Sequence, residues 1–290
     1  MNLLDPTFDR RTGIGASEVA AALGKSPYQT PYELWELKTA RKPPFAGNRF
    51  TAWGNRLEQI VAEAYAEEHN VQLGIGVSQK SPEHDWLFAT PDRYVFDEAN
   101  VIAGLVQIKT VDKDAFRSSP EWNDGPDDFP YHYRLQCQTE LICNPTARWN
   151  DLAVLIGGNQ FKTYRIYPDA DLQTAILYGT EQFWEYVTSD TPPPATTLAD
   201  ARVRYPLPNG EIVNGGIAAL ETIHQIRDLT AKRAEIEKAL ETLKGQICAM
   251  MGTAEAITDD AGRVLATWKL VERKGYSVEP SSSRVLQVKK

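Results

Sequence analysis

The chain has 290 residues, 42% of them hydrophobic and 24% charged, the balance of a globular protein with one large domain, alone or with an appendage. No apolar run approaches the roughly 18 residues that a membrane span needs, and the first residues lack the basic head and apolar core of a secretory signal. The net charge of −8 argues against a broadly basic nucleic-acid-binding surface, although residues 1–60 carry eight Lys/Arg against six acids and leave room for a locally basic channel.

Residues 13–24 and 31–40 read as helices. Ser17 or the turn before it opens the first, and Thr30 before Pro31 caps the second. A third helix over 55–69 gathers Leu57, Ile60, Val61, Ala64 and Tyr65 on one side. Strand-like pieces follow at 71–78, 85–90, 93–97 and 101–109. Residues 112–129, rich in Asp, Pro, Ser and Gly, read as a loop long enough to act as a lid or strand separator. A helix over 130–142 leads to a hairpin, 151–157 and 160–167, across Gly157, Gly158 and Asn159, and then to a helix over 169–188.

Prolines 192–194, 206 and 208 mark a boundary. The expected organisation is a core over 1–190, a proline-rich linker over 191–215, and a C-terminal region over 216–290 for oligomerisation or partner binding. Within that region 217–251 carries a heptad-like pattern: Ile226, Arg233, Leu240 and Ile247 in one series, Leu229, Ile236, Leu243 and Met250 in the other. Such a seam is expected to pack on its own domain, with association between copies as the other reading. Short strands are expected at 264–271 and 285–288. Cys137, Cys143 and Cys248 have neither zinc nor disulfide-framework spacing and read as small apolar filler in a reducing cytoplasm.

The chemistry centres on Asp92 and the apolar strand 104–110. Side chains at i and i+2 of a strand share a face, so Gln107 and Lys109 point the same way and Asp92 can fold over to meet them. A lone Asp, then an acid two residues before a Lys, is the pattern of a metal-dependent nuclease core. Here position 107 holds an amide. Taken singly, each piece has a plainer meaning. Asp92 after Pro91 is a turn residue, Gln107–Lys109 a solvated strand edge, Glu58 a surface acid, and Gln136 and Gln138 partners for backbone groups. Their order and combination separate the two readings.

In that order the chain resembles the YqaJ-type phage recombination nucleases, relatives of lambda exonuclease within the PD-(D/E)XK superfamily. The resemblance rests on residues 10–18, 22–28, 30–35, 52–58, 89–92, 104–110 and 133–138, and spans about 10–190. It implies an α/β fold, a central mixed sheet flanked by helices. It also implies that Asp92 and position 107 bind metal, with the carbonyl of Ile108 as a further ligand and Glu58 completing the shell. Lys109 is similar to the lysine that orients the attacking water, Gln136 to the glutamine flanking the site, and Tyr133 to a tyrosine lining it. Arg10 and Ser17 match the pair that holds a terminal 5′-phosphate.

The implied activity is a Mg²⁺-dependent 5′→3′ exonuclease on linear double-stranded DNA, with Mn²⁺ as substitute ion, leaving 3′ single strands for recombination. The implied partners are DNA ends, a single-strand annealing protein and further copies of the chain in a ring, in the cytoplasm of a bacterial host of a phage or prophage. The chemistry needs these residue types. Hard oxygen ligands hold Mg²⁺, which supplies a hydroxide near neutral pH and neutralises developing charge. A lysine adds a point charge without competing as a ligand. Arg10, Ser17 and free backbone N–H groups make an anion site. The departure is Gln107, which keeps one carbonyl oxygen and loses the charge. It leaves a catalytically silent DNA-end binder and an endonuclease of the same superfamily as the alternatives.

Overall fold

A computed structural model describes residues 9–123, 125, 127–272 and 286. Its elements in chain order are β1 (Ile14–Gly15), α1 (Val19–Ala22), α2 (Pro31–Lys38), α3 (Arg49–His69), β2 (Leu73–Ile75), β3 (Gln79–Lys80), β4 (Leu87–Ala89), β5 (Arg93–Phe96) and β6 (Ile102–Val111). Then come α4 (Lys113–Ser118), α5 (Tyr131–Cys143), β7 (Asn150–Ile156), β8 (Gln160–Ile166), α6 (Ala170–Thr188), α7 (Leu198–Arg204), α8 (Gly216–Met251), β9 (Ala256–Thr258) and β10 (Val264–Thr267). The chain divides into two compact units, Met1–Arg204 and Tyr205–Lys290.

The first unit is built on a mixed five-stranded sheet, β2-β5-β6-β7-β8, in which only β6 and β7 run parallel. Residues 102–108 of β6 are all buried, as expected of a central strand covered on both faces. Val106 and Ile108 pack with Val61, Ala62 and Tyr65 of α3. Leu105 packs with Leu141 of α5 on the other face. Alternation therefore sends Gln107 and Lys109 to the α5 side.

A second sheet, β1-β4-β3, ties the first residues to this core. Ile14 and Gly15 pair in parallel with Leu87 and Phe88. The helix expected over 13–24 forms only in part, as α1 preceded by short 3₁₀ turns at Arg10–Thr12 and Ala16–Glu18. The physical reason is tertiary: the N–H of Ile14 donates to the carbonyl of Trp86 at 2.6 Å, and strand pairing takes the place of helix. Gly15 permits the approach, since a Cβ there would lie 2.9 Å from Arg10 Nη2 and 3.1 Å from the Phe88 ring.

Local signals explain the other boundaries. Thr30 and Glu33 form a reciprocal capping box on α2. Helix α3 starts six residues before the expected 55 because Asn48 Oδ1 accepts from the N–H groups of Phe50 and Thr51. The expected loop 112–129 contains α4, which Asp112 caps in the same manner. Helix α7 lies within the expected 191–215 linker, and its Asp200 is buried against Thr30 at 2.8 Å.

The second unit holds α8 and the antiparallel hairpin β9-β10. The expectation that the α8 seam packs on its own domain is not met. Leu229, Ile236, Leu240, Leu243, Ile247 and Met250 are all exposed, because the hairpin described in this unit is too small to cover a 36-residue helix. The expected strand 285–288 lies outside the described residues, apart from Leu286. Among the described residues no helix is long and apolar enough to cross a membrane.

Candidate active site

Asp92 sits at the entry to β5, on a segment that presses against the turn after β2. A Cβ at Gly76 would fall 1.6 Å from the Pro91 carbonyl, so only glycine lets the two backbones meet. Asp92 Oδ2 accepts from Gln107 Nε2 at 2.5 Å and from the N–H of Ile108 at 2.7 Å. Burial raises the Asp92 carboxyl above its ordinary range. Lys109 and the Ile108 N–H oppose this, and Glu58 adds to it.

Around Asp92 lies a cavity of about 200 Å³ lined by Arg10, Gly15, Ala16, Ser17, Phe88, Thr90, Gln107, Gln136 and Glu140. It unites Arg10, Ser17, Asp92, Gln107 and Gln136, five of the residues singled out in the sequence. The topology explains how: β1 carries residues 10–18 to β4, and β4 runs directly into Thr90 and Asp92. The loop is pinned from behind by buried Lys38, whose Nζ donates to Glu18 Oε2 at 2.7 Å and to the Arg10 carbonyl at 2.8 Å. Arg10 rests its guanidinium over the Phe88 ring, 5.1 Å from its centre. The N–H of Gly15 at this turn is not open to an anion, since it donates to Glu18 Oε2 at 2.7 Å.

The remaining sequence-predicted residues are not among those lining this cavity. Lys109 Nζ lies 5.3 Å from the centre of the Tyr133 ring. Tyr133 is packed against Trp122 and His132, and burial lifts its hydroxyl to about 12. Glu58 belongs to α3, over the face of β6 opposite to Gln107. There it binds Arg93 Nη1 at 2.6 Å, and the same nitrogen donates to the Asp92 carbonyl at 2.6 Å. The link from Glu58 to Asp92 thus runs through Arg93.

Glu140 is the residue that sequence reading missed. It is fully buried on α5, accepting from Gln136 Nε2 at 2.9 Å and from Asn150 Nδ2 at 2.7 Å. Burial, reinforced by the nearby Asp92 charge, lifts its carboxyl to about 8. Its signal was present as the i, i+4 spacing from Gln136, one turn along the same helix face.

The donor set fits a hard divalent cation. Gln107 Oε1 is buried and accepts no hydrogen bond. Burying such an oxygen unpaired costs about 1–3 kcal/mol, which an ion in the cavity would offset. No group of three or more His, Cys, Asp or Glu side chains is gathered for a metal among the described residues. Any ion here therefore relies on amide and backbone oxygens beside its carboxylates.

The mixed sheet flanked by helices, with Asp92 at the mouth of one strand and Gln107 and Lys109 on one face of its neighbour, is an α/β fold shared with solved exonuclease structures. More narrowly, residues 8–147 match the YqaJ-like viral recombinase domain over just under half of the chain. The protein YqaJ of Bacillus subtilis (strain 168) is 29% identical over 277 residues, covering 91% of this chain and 82% of that one. A protein of Acanthamoeba polyphaga mimivirus is 32% identical over 143 residues, covering 46% of this chain and 25% of its own length. Among solved structures, the alkaline exonuclease LHK-Exo from Laribacter hongkongensis superposes with a TM-score of 0.52 at 21% identity, covering 63% of this chain and 91% of that one. The same enzyme in complex with dAMP gives 0.53 at 20% identity with the same coverage.

Proposed function

We propose that this chain is an exonuclease that digests linear double-stranded DNA from 5′ ends, dependent on Mg²⁺ with Mn²⁺ as substitute, and leaves 3′ single strands for recombination. The observation that carries the reading is the single cavity shared by Arg10, Ser17, Asp92, Gln107 and Gln136. It puts a guanidinium and a hydroxyl suited to a terminal phosphate beside the acid and amides suited to a metal. The residues 1–190 carry this chemistry, and 216–290 serve association.

In this reading Asp92, Gln107 Oε1 and the Ile108 carbonyl hold the ion, with Glu58 behind them. The ion, when bound, supplies a hydroxide at neutral pH and neutralises charge on the phosphate. Arg10 and Ser17 bind the 5′-phosphate and draw one strand inward. Lys109, on the Gln107 face of β6, orients the attacking water and offsets developing negative charge. Gln136 bridges the cavity wall to Glu140 and keeps that wall rigid. Tyr133 shields Lys109 from bulk solvent. Copies of the chain associate through the exposed α8 seam into a closed ring that stays on DNA between cuts, working with a single-strand annealing protein in the cytoplasm of a phage or prophage host.

The second reading is a catalytically silent DNA-end binder, and Gln107 is the feature that favours it. Incubation with Mg²⁺ and 5′-phosphorylated linear, 5′-hydroxyl linear and circular duplexes separates the possibilities. The proposal expects phosphorylated linear DNA to be digested fastest and circular DNA to stay intact. Arg10→Ala should shrink the phosphate preference by about 1–3 kcal/mol. Equal rates on both kinds of end would refute the 5′-phosphate role. Cutting of the circle would make the chain an endonuclease, and binding without cutting would establish the silent binder.

A further inference from the structure

Glu140 is not among the residues that the resemblance marks, yet it faces the cavity that holds Asp92 and Gln107. Two amide donors, Gln136 Nε2 on Oε1 and Asn150 Nδ2 on Oε2, fix the plane of its carboxylate. A carboxylate oxygen has two acceptor directions, so each oxygen keeps one open. Across the cavity, Gln107 spends its Nε2 on Asp92, while its Oε1 is buried and accepts nothing. The amino group of Lys109 lies over the Tyr133 ring, and Lys109 is not among the residues lining the cavity. Two acids and an orphan carbonyl around one cavity offer the hard oxygen set a small divalent ion prefers.

We infer that Glu140 is a metal ligand: with Asp92 and Gln107 Oε1 it forms a divalent-cation site in which the charge absent from position 107 comes from helix α5. This rests on the reading that the cavity holds a divalent ion, and it names a ligand that reading lacks. Asp92 and Glu140 then contribute two carboxylates and Gln107 a neutral oxygen. The amide at 107 becomes a change of ligand position, with the total charge conserved.

The test is Mn²⁺ binding to the metal-stripped full chain by isothermal titration calorimetry, with no DNA present. The variants are Glu140→Gln, Asp92→Asn, Gln107→Glu and the Gln107→Glu/Glu140→Gln pair. The expected result is a loss of at least ~10-fold in affinity for Glu140→Gln, regained in the pair because position 107 again supplies the charge. A merely structural Glu140 would not be rescued from position 107. Unchanged affinity in Glu140→Gln, with Asp92→Asn losing the ion, overturns the inference and leaves the nuclease reading standing. Binding indifferent to Asp92→Asn and to Gln107→Glu overturns both. If Glu140→Gln does not fold, wild-type crystals soaked in Mn²⁺ decide by anomalous diffraction. An ion about 2.1 Å from a Glu140 oxygen supports the inference. An ion on Asp92, with Glu140 held by Gln136 and Asn150 alone, overturns it.

Discussion

Gln107→Glu replaces the amide that now donates to Asp92 Oδ2 at 2.5 Å with a second carboxylate. Two unit charges at that separation repel by about 6–7 kcal/mol at an effective dielectric constant near 20. The metal-free variant avoids that cost by keeping a shared proton, as close carboxylate pairs do. Asp92 retains its bond from the Ile108 N–H, so the net loss of stability at pH 8 in EDTA should be about 1–3 kcal/mol. A divalent ion reverses the sign, because an extra charged ligand favours the bound state. The added stabilisation by saturating Mn²⁺ should therefore be larger in Gln107→Glu than in the wild type. Single-turnover digestion of linear duplex should accelerate by at least ~10²-fold, about 2.7 kcal/mol of barrier. The assays are urea melts in EDTA and in Mn²⁺, and quenched digestion at saturating Mg²⁺. A variant as stable as wild type in EDTA, with no larger metal increment and no faster cleavage, would show that position 107 does not face a metal beside Asp92.

Two further expectations concern other parts of the chain. Leu240→Asp places a charge in the exposed α8 seam, and light scattering at micromolar concentration should report smaller assemblies than for wild type. A wild type that is already monomeric, with and without DNA, would remove the seam from the account of assembly. The second concerns the Glu140 carboxyl, raised from 4.5 to about 8 in the folded state. Between those values the native protein holds a proton that the unfolded chain releases, so metal-free stability should fall as pH rises from about 5 to 8 and then level off. Glu140→Gln should flatten that slope by an amount on the order of 3–4 kcal/mol across the window, read from urea midpoints in EDTA. Parallel pH profiles for the two proteins would contradict a buried, proton-holding Glu140.

Elements that follow from local pattern were legible in the sequence. The hairpin of β7 and β8 across Gly157 and Gly158, helix α6 and helix α8 fall within a residue or two of where periodicity puts them. The elements misread turn on single contacts, tertiary or local, that composition does not show. Residues 13–15 have neighbours suited to a helix, yet pairing with Trp86 and Leu87 extends them. Helix α4 depends on one capping side chain, Asp112, inside a stretch whose composition reads as loop. The α8 seam was visible, but a heptad pattern carries no information about what covers it.

The candidate site shows the same division. Strand alternation was enough to put Gln107 and Lys109 on one face, and chain order to bring Asp92 near them. What alternation could not show is which face each helix covers. Because α3 lies over Val106 and Ile108, Glu58 is tied to the site by a shared contact with Arg93, while α5, over the Gln107 face, brings in Gln136 and Glu140. A glutamine at 107 is therefore not a simple deletion of charge. It donates to Asp92, which an acid could do only by carrying a proton, and so it stabilises the metal-free cavity against mutual repulsion. The carboxylate that remains across the cavity is held at arm's length by two amides. On the proposed reading, a site arranged this way keeps two acids for an ion and avoids placing them in contact when the ion is gone.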